Sequence, residues 1–150
     1  MKSAIHLAAD HAGFALKEKV KEYLVRRGFD VHDHGARRFV AGDDYPDFMI
    51  PAAREVARTK GVGIFFGGSG LGECIAANKV RGIRAVAICD VYTARMSRVD
   101  NDANVLCFGS RTRVGKSWAT ARRLLDLWLR TKFSGAVRHR RRLRKISTIE

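Results

Sequence analysis

Acidic residues are scarce in this 150-residue chain: Asp and Glu number 15 against 29 Lys and Arg, a formal charge of +14 at pH 7. Proline is scarcer still, at two residues, and with 46% hydrophobic residues this excludes collagen-like, proline-rich and disordered chains. Cysteine occurs three times, at Cys74, Cys89 and Cys107. The odd count and the lack of metal-ligand spacing exclude a disulfide framework or a zinc ribbon, and point to reduced thiols in a cytoplasmic protein. No apolar run approaches the ~20 residues of a membrane span. The opening "MKSAIHLAADHAG" has no signal-peptide layout. Repeats and low-complexity linkers are missing as well, so one domain over residues 1–150 is expected.

The surplus is positive charge. Six of the basic residues fall within "RHRRRLRK" (Arg138–Lys145), and the remainder of the chain is basic too. Such a balance calls for phosphorylated partners, either nucleic acid or small anionic metabolites.

Short apolar runs alternate with longer amphipathic ones. Strands are expected at Ser3–Asp10, in "FDVHDHG", and at Gly61–Phe66, Ile83–Ile88 and Asn104–Gly109. Helices are expected at Phe14–Gly28, with Leu16, Val20, Tyr23 and Leu24 on the apolar face and lysines and glutamates opposite, and at Pro46–Arg58. Further helices are expected from Gly72 towards Lys79, at Val91–Arg98 and Val114–Thr131, and in a basic C-terminal segment from about residue 136 to 146. Five strand–helix alternations make an α/β fold, a Rossmann-like three-layer α/β/α sandwich on a five-stranded parallel sheet. Ligands of such sheets bind at the carboxyl ends of the strands, which gathers Asp10, His11 and the Gly67–Gly72 loop on one edge.

That loop, "GGSGLGE", fits none of the familiar glycine motifs. A dinucleotide fingerprint would need glycine at Glu73, a P-loop would need Lys-Ser/Thr at Glu73-Cys74, and a hydrolase elbow would need glycine at Leu71. What survives is mechanical: a glycine-rich strand-to-helix turn offers backbone N–H groups to a phosphate or to a developing oxyanion. Glu73, in the first helical turn, suits the positive end of the helix dipole. A plain tight turn with a helix-start carboxylate explains the loop equally well.

Five segments, "AADHAGFALKEKV", "DYPD", "GGSGLGECIAANKVRGIRAV", "NDANVLCFGSR" and "RHRRR", occur in an order and at intervals that resemble the family of ribose-5-phosphate isomerase B and the galactose-6-phosphate isomerase subunits. The resemblance spans nearly the whole chain. It implies a homodimer or tetramer that interconverts aldose and ketose phosphates through a cis-enediolate, with no cofactor and no metal. One branch of that family uses a cysteine base where this chain has Gly67; the other uses the glutamate that falls on Glu73. Cys74, one step along the helix, is turned ~100° away and reads as a packed helix cysteine.

By the same resemblance, Ser69 assists proton movement at the substrate oxygens, and Gly68, Ser69, Gly70, Leu71 and Gly72 line the oxyanion site. Asp10 and His11 contact sugar hydroxyls and phosphate, although alone an Asp-His pair at a strand end reads as helix capping. Asn101 and Arg111 match substrate-binding positions. Arg138 and Arg142, spaced to share a helix face, match the phosphate clamp. His32 and His34 share a strand face without a carboxylate or cysteine partner, so a polar strand end is expected rather than a metal site, and His139 is expected to be a solvated face residue. Leu124, Leu125, Trp128 and Leu129 could form the dimer face or simply the core side of their helix.

One position departs from the pattern. The family has histidine before "ND", where it helps open the sugar ring; here it is Asp100. The resemblance therefore leaves open which group opens the ring; interconversion of ribose 5-phosphate and ribulose 5-phosphate is the expected reaction, with a tetrose 4-phosphate or a hexose 6-phosphate as the alternative substrate. A basic nucleic-acid-binding protein is the competing class. It is disfavoured because the charge run carries no interleaved aromatics and no known binding module.

Overall fold

The computed structural model describes residues 4–149. Five strands, β1 (Ile5–Ala9), β2 (Val31–Asp33), β3 (Val62–Gly67), β4 (Ala85–Ala87) and β5 (Val105–Gly109), form one parallel sheet in the order β2-β1-β3-β5-β4. Between and after them run α1 (Phe14–Arg26), α2 (Pro46–Thr59), α3 (Leu71–Ala77), α4 (Val91–Val99), α5 (Arg113–Lys116), α6 (Trp118–Arg130) and α7 (Val137–Ser147). Ser3, the first residue of the expected opening strand, lies outside the described residues.

Alternation along the central strands builds two cores. Ile5, Leu7, Ile64, Phe66, Leu106 and Phe108 face α1, α4 and α6, whereas Ala8, Phe65, Val105 and Cys107 face α2 and α3. Both faces are thus covered, as an all-parallel sheet requires. The expected three-layer architecture is what forms.

Three local expectations change. The single helix over Val114–Thr131 is two: Ser117 adopts an extended conformation, and its Oγ accepts the Thr120 N–H at 3.3 Å, so α6 starts afresh with its own cap. The fourth strand shrinks from six residues to Ala85–Ala87 because it is a sheet edge with only β5 to pair with, although Ile83 and Ile88 are still buried beside it. Lys17 does not join the solvent face of α1. It is fully buried, with Nζ 2.7 Å from Asp33 Oδ1 and 2.8 Å from the Ala36 carbonyl oxygen, which satisfies the charge that burial would otherwise leave stranded.

Leu124, Leu125 and Trp128 are buried in the chain's own core, with Leu129 packed against them, so they do not form a dimer face. Among the large apolar side chains left exposed are Leu71 and Ile75 on α3, and Val91 and Tyr92 on α4, with Tyr92 72% exposed.

Candidate active site

The carboxyl ends of β1, β3 and β5 lie side by side at the middle of the sheet. One hydroxyl ties them together. Ser110 Oγ is 2.6 Å from the Ala12 carbonyl oxygen and 2.9 Å from that of Gly67, while the Ser110 and Arg111 N–H groups donate to Gly67 and Gly68 at 2.8 and 3.0 Å. This clamp brings Asp10, His11, the Gly68–Gly72 turn, Glu73 and Arg111 to one edge. Gly70 adopts φ +82°, a left-handed conformation that turns the chain directly into α3. Ser69 Oγ accepts the Leu71 N–H at 3.2 Å, Gly72 lies against the Tyr45 ring, and the Arg111 guanidinium stands over Gly68.

Glu73 is the most constrained of these groups. It is 3% exposed, and its Oε2 is buried without a hydrogen-bond partner. A Cβ placed on Gly67 would lie 1.7 Å from Glu73 Oε1, so the carboxyl group fills the space that a side chain at position 67 would need. A cysteine at 67 and this glutamate arrangement exclude each other. Burial pushes the Glu73 carboxyl above its usual range, and the Asp10 charge adds to the rise. The amides of Glu73 and Gly70 oppose it without cancelling it. A buried acid with an unpaired oxygen at the carboxyl edge of the sheet is a candidate for proton transfer.

Gly67→Ala is therefore expected to keep the fold but displace the Glu73 carboxyl. Turnover should drop by about 100-fold, because a shift of about 1 Å costs that much in reactive alignment. Comparing kcat with the urea midpoint of the same preparation checks this, and full activity in a folded Gly67→Ala protein would refute the packing argument.

Asp10 caps as well as faces the site: its Oδ1 accepts the Gly13 N–H at 2.9 Å at the approach to α1. The His11 ring is held by Asp43, a residue with no signal in the sequence because it comes from the long loop before α2.

The remaining expected residues are elsewhere. Asp100 and Asn101 follow α4, where the chain turns back into the amino end of β5, and Ser134 N–H donates to the Val99 carbonyl at 3.0 Å, placing the start of α7 beside them. His139 is not solvated but 4% exposed. Its Nδ1 is 2.8 Å from Ser134 Oγ, and its Nε2 accepts from Arg138 Nε at 3.0 Å and stands 3.6 Å from Asp100 Oδ1. The position that lacks the family's histidine thus has an imidazole beside it, contributed by α7. Arg138 and Arg142 are both exposed. The candidate residues therefore form two groups at opposite ends of the sheet, a strand of five or six residues apart, or about 15–20 Å.

His32 and His34 belong with buried His6. His6 Nδ1 is 2.9 Å from His34 Nε2, its Nε2 is 2.9 Å from Thr59 Oγ1, and the His32 ring stacks on it at 5.2 Å. Burial, aided by the neighbouring histidines, lowers the His6 pKa to about 4. Among the described residues, the one metal-type grouping is Asp10, His11 and Asp43, with ligand atoms within 4.8 Å of one another. It is already wired internally by the His11–Asp43 and Asp10–Gly13 bonds.

Residues 5–146 match the model of the Ribose/Galactose Isomerase family. Ribose-5-phosphate isomerase B of Mycobacterium tuberculosis is 44% identical over 140 residues, covering 93% of this chain and 85% of the relative. The type B ribose 5-phosphate isomerase structure from Trypanosoma brucei superposes with a TM-score of 0.92 at 42% identity, over the whole of both chains. The structure of ribose-5-phosphate isomerase B from Mycoplasma genitalium with bound ribulose-5-phosphate superposes with a TM-score of 0.91 at 38% identity, covering 97% and 95% of the two chains. With a family match over residues 5–146 and a relative 44% identical across 93% of the chain, the protein belongs to the ribose/galactose isomerase family.

Proposed function

We propose that this protein interconverts ribose 5-phosphate and ribulose 5-phosphate by proton transfer between C1 and C2, with Glu73 as the base. The observation that carries the reading is the Glu73 carboxyl itself, buried against Gly67 behind a turn of backbone amides, with its proton affinity raised towards the working pH. Glu73 removes the proton next to the carbonyl and returns it to the adjacent carbon. The amides along Gly68, Ser69, Gly70, Leu71 and Gly72 hold the enediolate oxygen as charge develops there. The Ser69 hydroxyl moves the proton between the two substrate oxygens. Asp10 and Asn101 hold sugar hydroxyls. His11, Arg111, Arg138 and Arg142 hold the phosphate. Asp100, beside His139, takes the C1 hydroxyl proton when the furanose opens, and water supplies the proton to the departing ring oxygen.

The two residue groups complete one site only when a second copy supplies one of them, so we propose a homodimer, or a tetramer of such dimers. The exposed apolar residues Leu71 and Ile75 on α3, which follows the glycine turn, and Val91 and Tyr92 at the start of α4 are suited to that contact. Among the described residues no helix is long and apolar enough to cross a membrane, and the three unpaired cysteines suit a cytoplasmic enzyme.

The test is an isomerase assay across four-, five- and six-carbon aldose phosphates. A preference for ribose 5-phosphate supports the reading; a preference for the tetrose or hexose phosphate replaces the substrate, and no turnover of any of them removes it. Because phosphate anchors ground state and transition state alike, Arg142→Ala is expected to raise KM by about tenfold or more while kcat stays within about threefold. An unchanged KM would return α7 to a charged surface.

A further inference from the structure

Asp43 does more than close a loop. Its Oδ1 accepts two bonds from one residue, the backbone N–H of His11 at 2.8 Å and the ring Nδ1 at 2.7 Å. A carboxylate can only accept, so Nδ1 carries a hydrogen and Nε2 is the nitrogen left for a ligand. The Asp43 side chain is 10% exposed, its Oδ2 is buried without a donor, and among the described residues His11 is its one ion-pair partner. A turn fixes it in place, with Asp43 N–H donating to the Val40 carbonyl at 3.2 Å after Gly42 at φ +80°. The Phe39 ring stands edge-on to the imidazole, 6.3 Å away between centroids. A desolvated carboxylate with a single cationic partner stabilises that partner's charged form.

We infer that Asp43 is a positioning residue: it locks His11 in one ring orientation as an imidazolium, presents Nε2–H to the substrate phosphate, and so sets the alkaline limit of substrate binding. The charged groups acting on His11 are Asp43, from the loop between β2 and α2, and Asp10, from the end of β1. The Asp43 hydrogen bond raises the His11 pKa above the ordinary histidine value, partial desolvation opposes this, and the Asp10 charge supports it. His11 therefore keeps its charge to a higher pH than an ordinary histidine does, and it loses its proton, and its hold on phosphate, as pH rises through that elevated value.

The inference rests on the phosphosugar reading, and the experiment separates the two. The His11 ring is titrated by NMR in the wild type and in Asp43→Asn, an isostere that keeps an acceptor but not the charge, and KM for ribose 5-phosphate is followed with pH. In Asp43→Asn the His11 titration is expected to fall towards the ordinary value. KM should rise about tenfold near pH 8 and converge with the wild type near pH 6, where both imidazoles are protonated, with kcat within about twofold throughout. Inorganic phosphate, used as a competitive inhibitor, should lose affinity in parallel. Identical His11 titrations, or a KM raised equally at both pH values as a collapsed loop would give, would overturn the inference. If Asp43→Asn does not fold, the wild-type titration decides alone: a His11 that titrates at or below the ordinary value refutes the assignment. Should no phosphosugar be turned over, the proposed function falls, while the titration still answers whether Asp43 governs His11.

Discussion

Glu73→Gln is expected to lower kcat by about 10³-fold or more while leaving KM within about threefold, since the amide keeps the shape of the side chain and removes only its capacity to accept a proton. The measurement is exchange of the substrate's C1 and C2 hydrogens with deuterated solvent, which reports the proton transfer itself rather than ring opening or release. The introduced amide would sit in the same pocket against Gly67, so substrate binding by the rest of the edge survives. The pH profile gives a second handle. Glu73 acts as a base only when ionised, so kcat/KM should fall as pH drops through its raised pKa, at a pH above the ~4.3 of an ordinary glutamate. The rival is Cys74, whose thiol is drawn below its usual pKa by a hydrogen bond with Cys107. Its Sγ, however, donates to the Ala85 carbonyl at 3.0 Å, towards β4 and away from the glycine turn. A Glu73→Gln enzyme that still exchanges solvent hydrogen, beside a dead Cys74→Ala, would move the base by one residue.

Much of this was legible because the apolar pattern survives into the fold. Short, continuous apolar runs became β1, β3 and β5, buried on both faces, and the rule that ligands sit at carboxyl strand ends placed Asp10, His11 and the glycine turn together. What was not legible depends on contacts distant in sequence. Lys17 reads as a surface lysine until Asp33 and Ala36, from a different element, are seen to enclose it. His139 sits in a basic run that reads as solvated, and only its approach to Ser134 and Asp100 buries it. Asp43 carries no local pattern, because its role is defined by a ring 32 residues earlier. Trp128 and its leucine neighbours show a limit of a different kind: an apolar helix face in a sequence does not say whether the covering surface is the chain's own sheet or another subunit.

The two-group layout predicts recovery of activity from two defective chains. Glu73→Gln disables the carboxyl-edge group, and the double variant Arg138→Ala/Arg142→Ala disables the α7 group; each homodimer should show little turnover at substrate concentrations below the wild-type KM. If one subunit supplies Glu73 and the other supplies the arginines, a heterodimer holds one site with both defects and one site with neither. Random reassortment makes half of the dimers mixed, so co-expression or co-refolding should restore about a quarter of wild-type activity. The recovered activity should carry the wild-type KM, because every working site is wholly wild type in its side chains. A site assembled within one chain gives a different result, since every site then keeps one defect however the subunits are paired, and mixing recovers nothing. The geometry argues for the first outcome: β3 and β5 run parallel through the middle of the sheet, Glu73 follows the carboxyl end of one, and Asn101 precedes the amino end of the other. A strand's length of packed core, filled by Phe65, Phe66, Leu106 and Phe108, separates the two positions in a single chain. Recovery that fails while sedimentation shows mixed dimers would mean that the arginines reach their own chain's glycine turn, and the composite site would be abandoned.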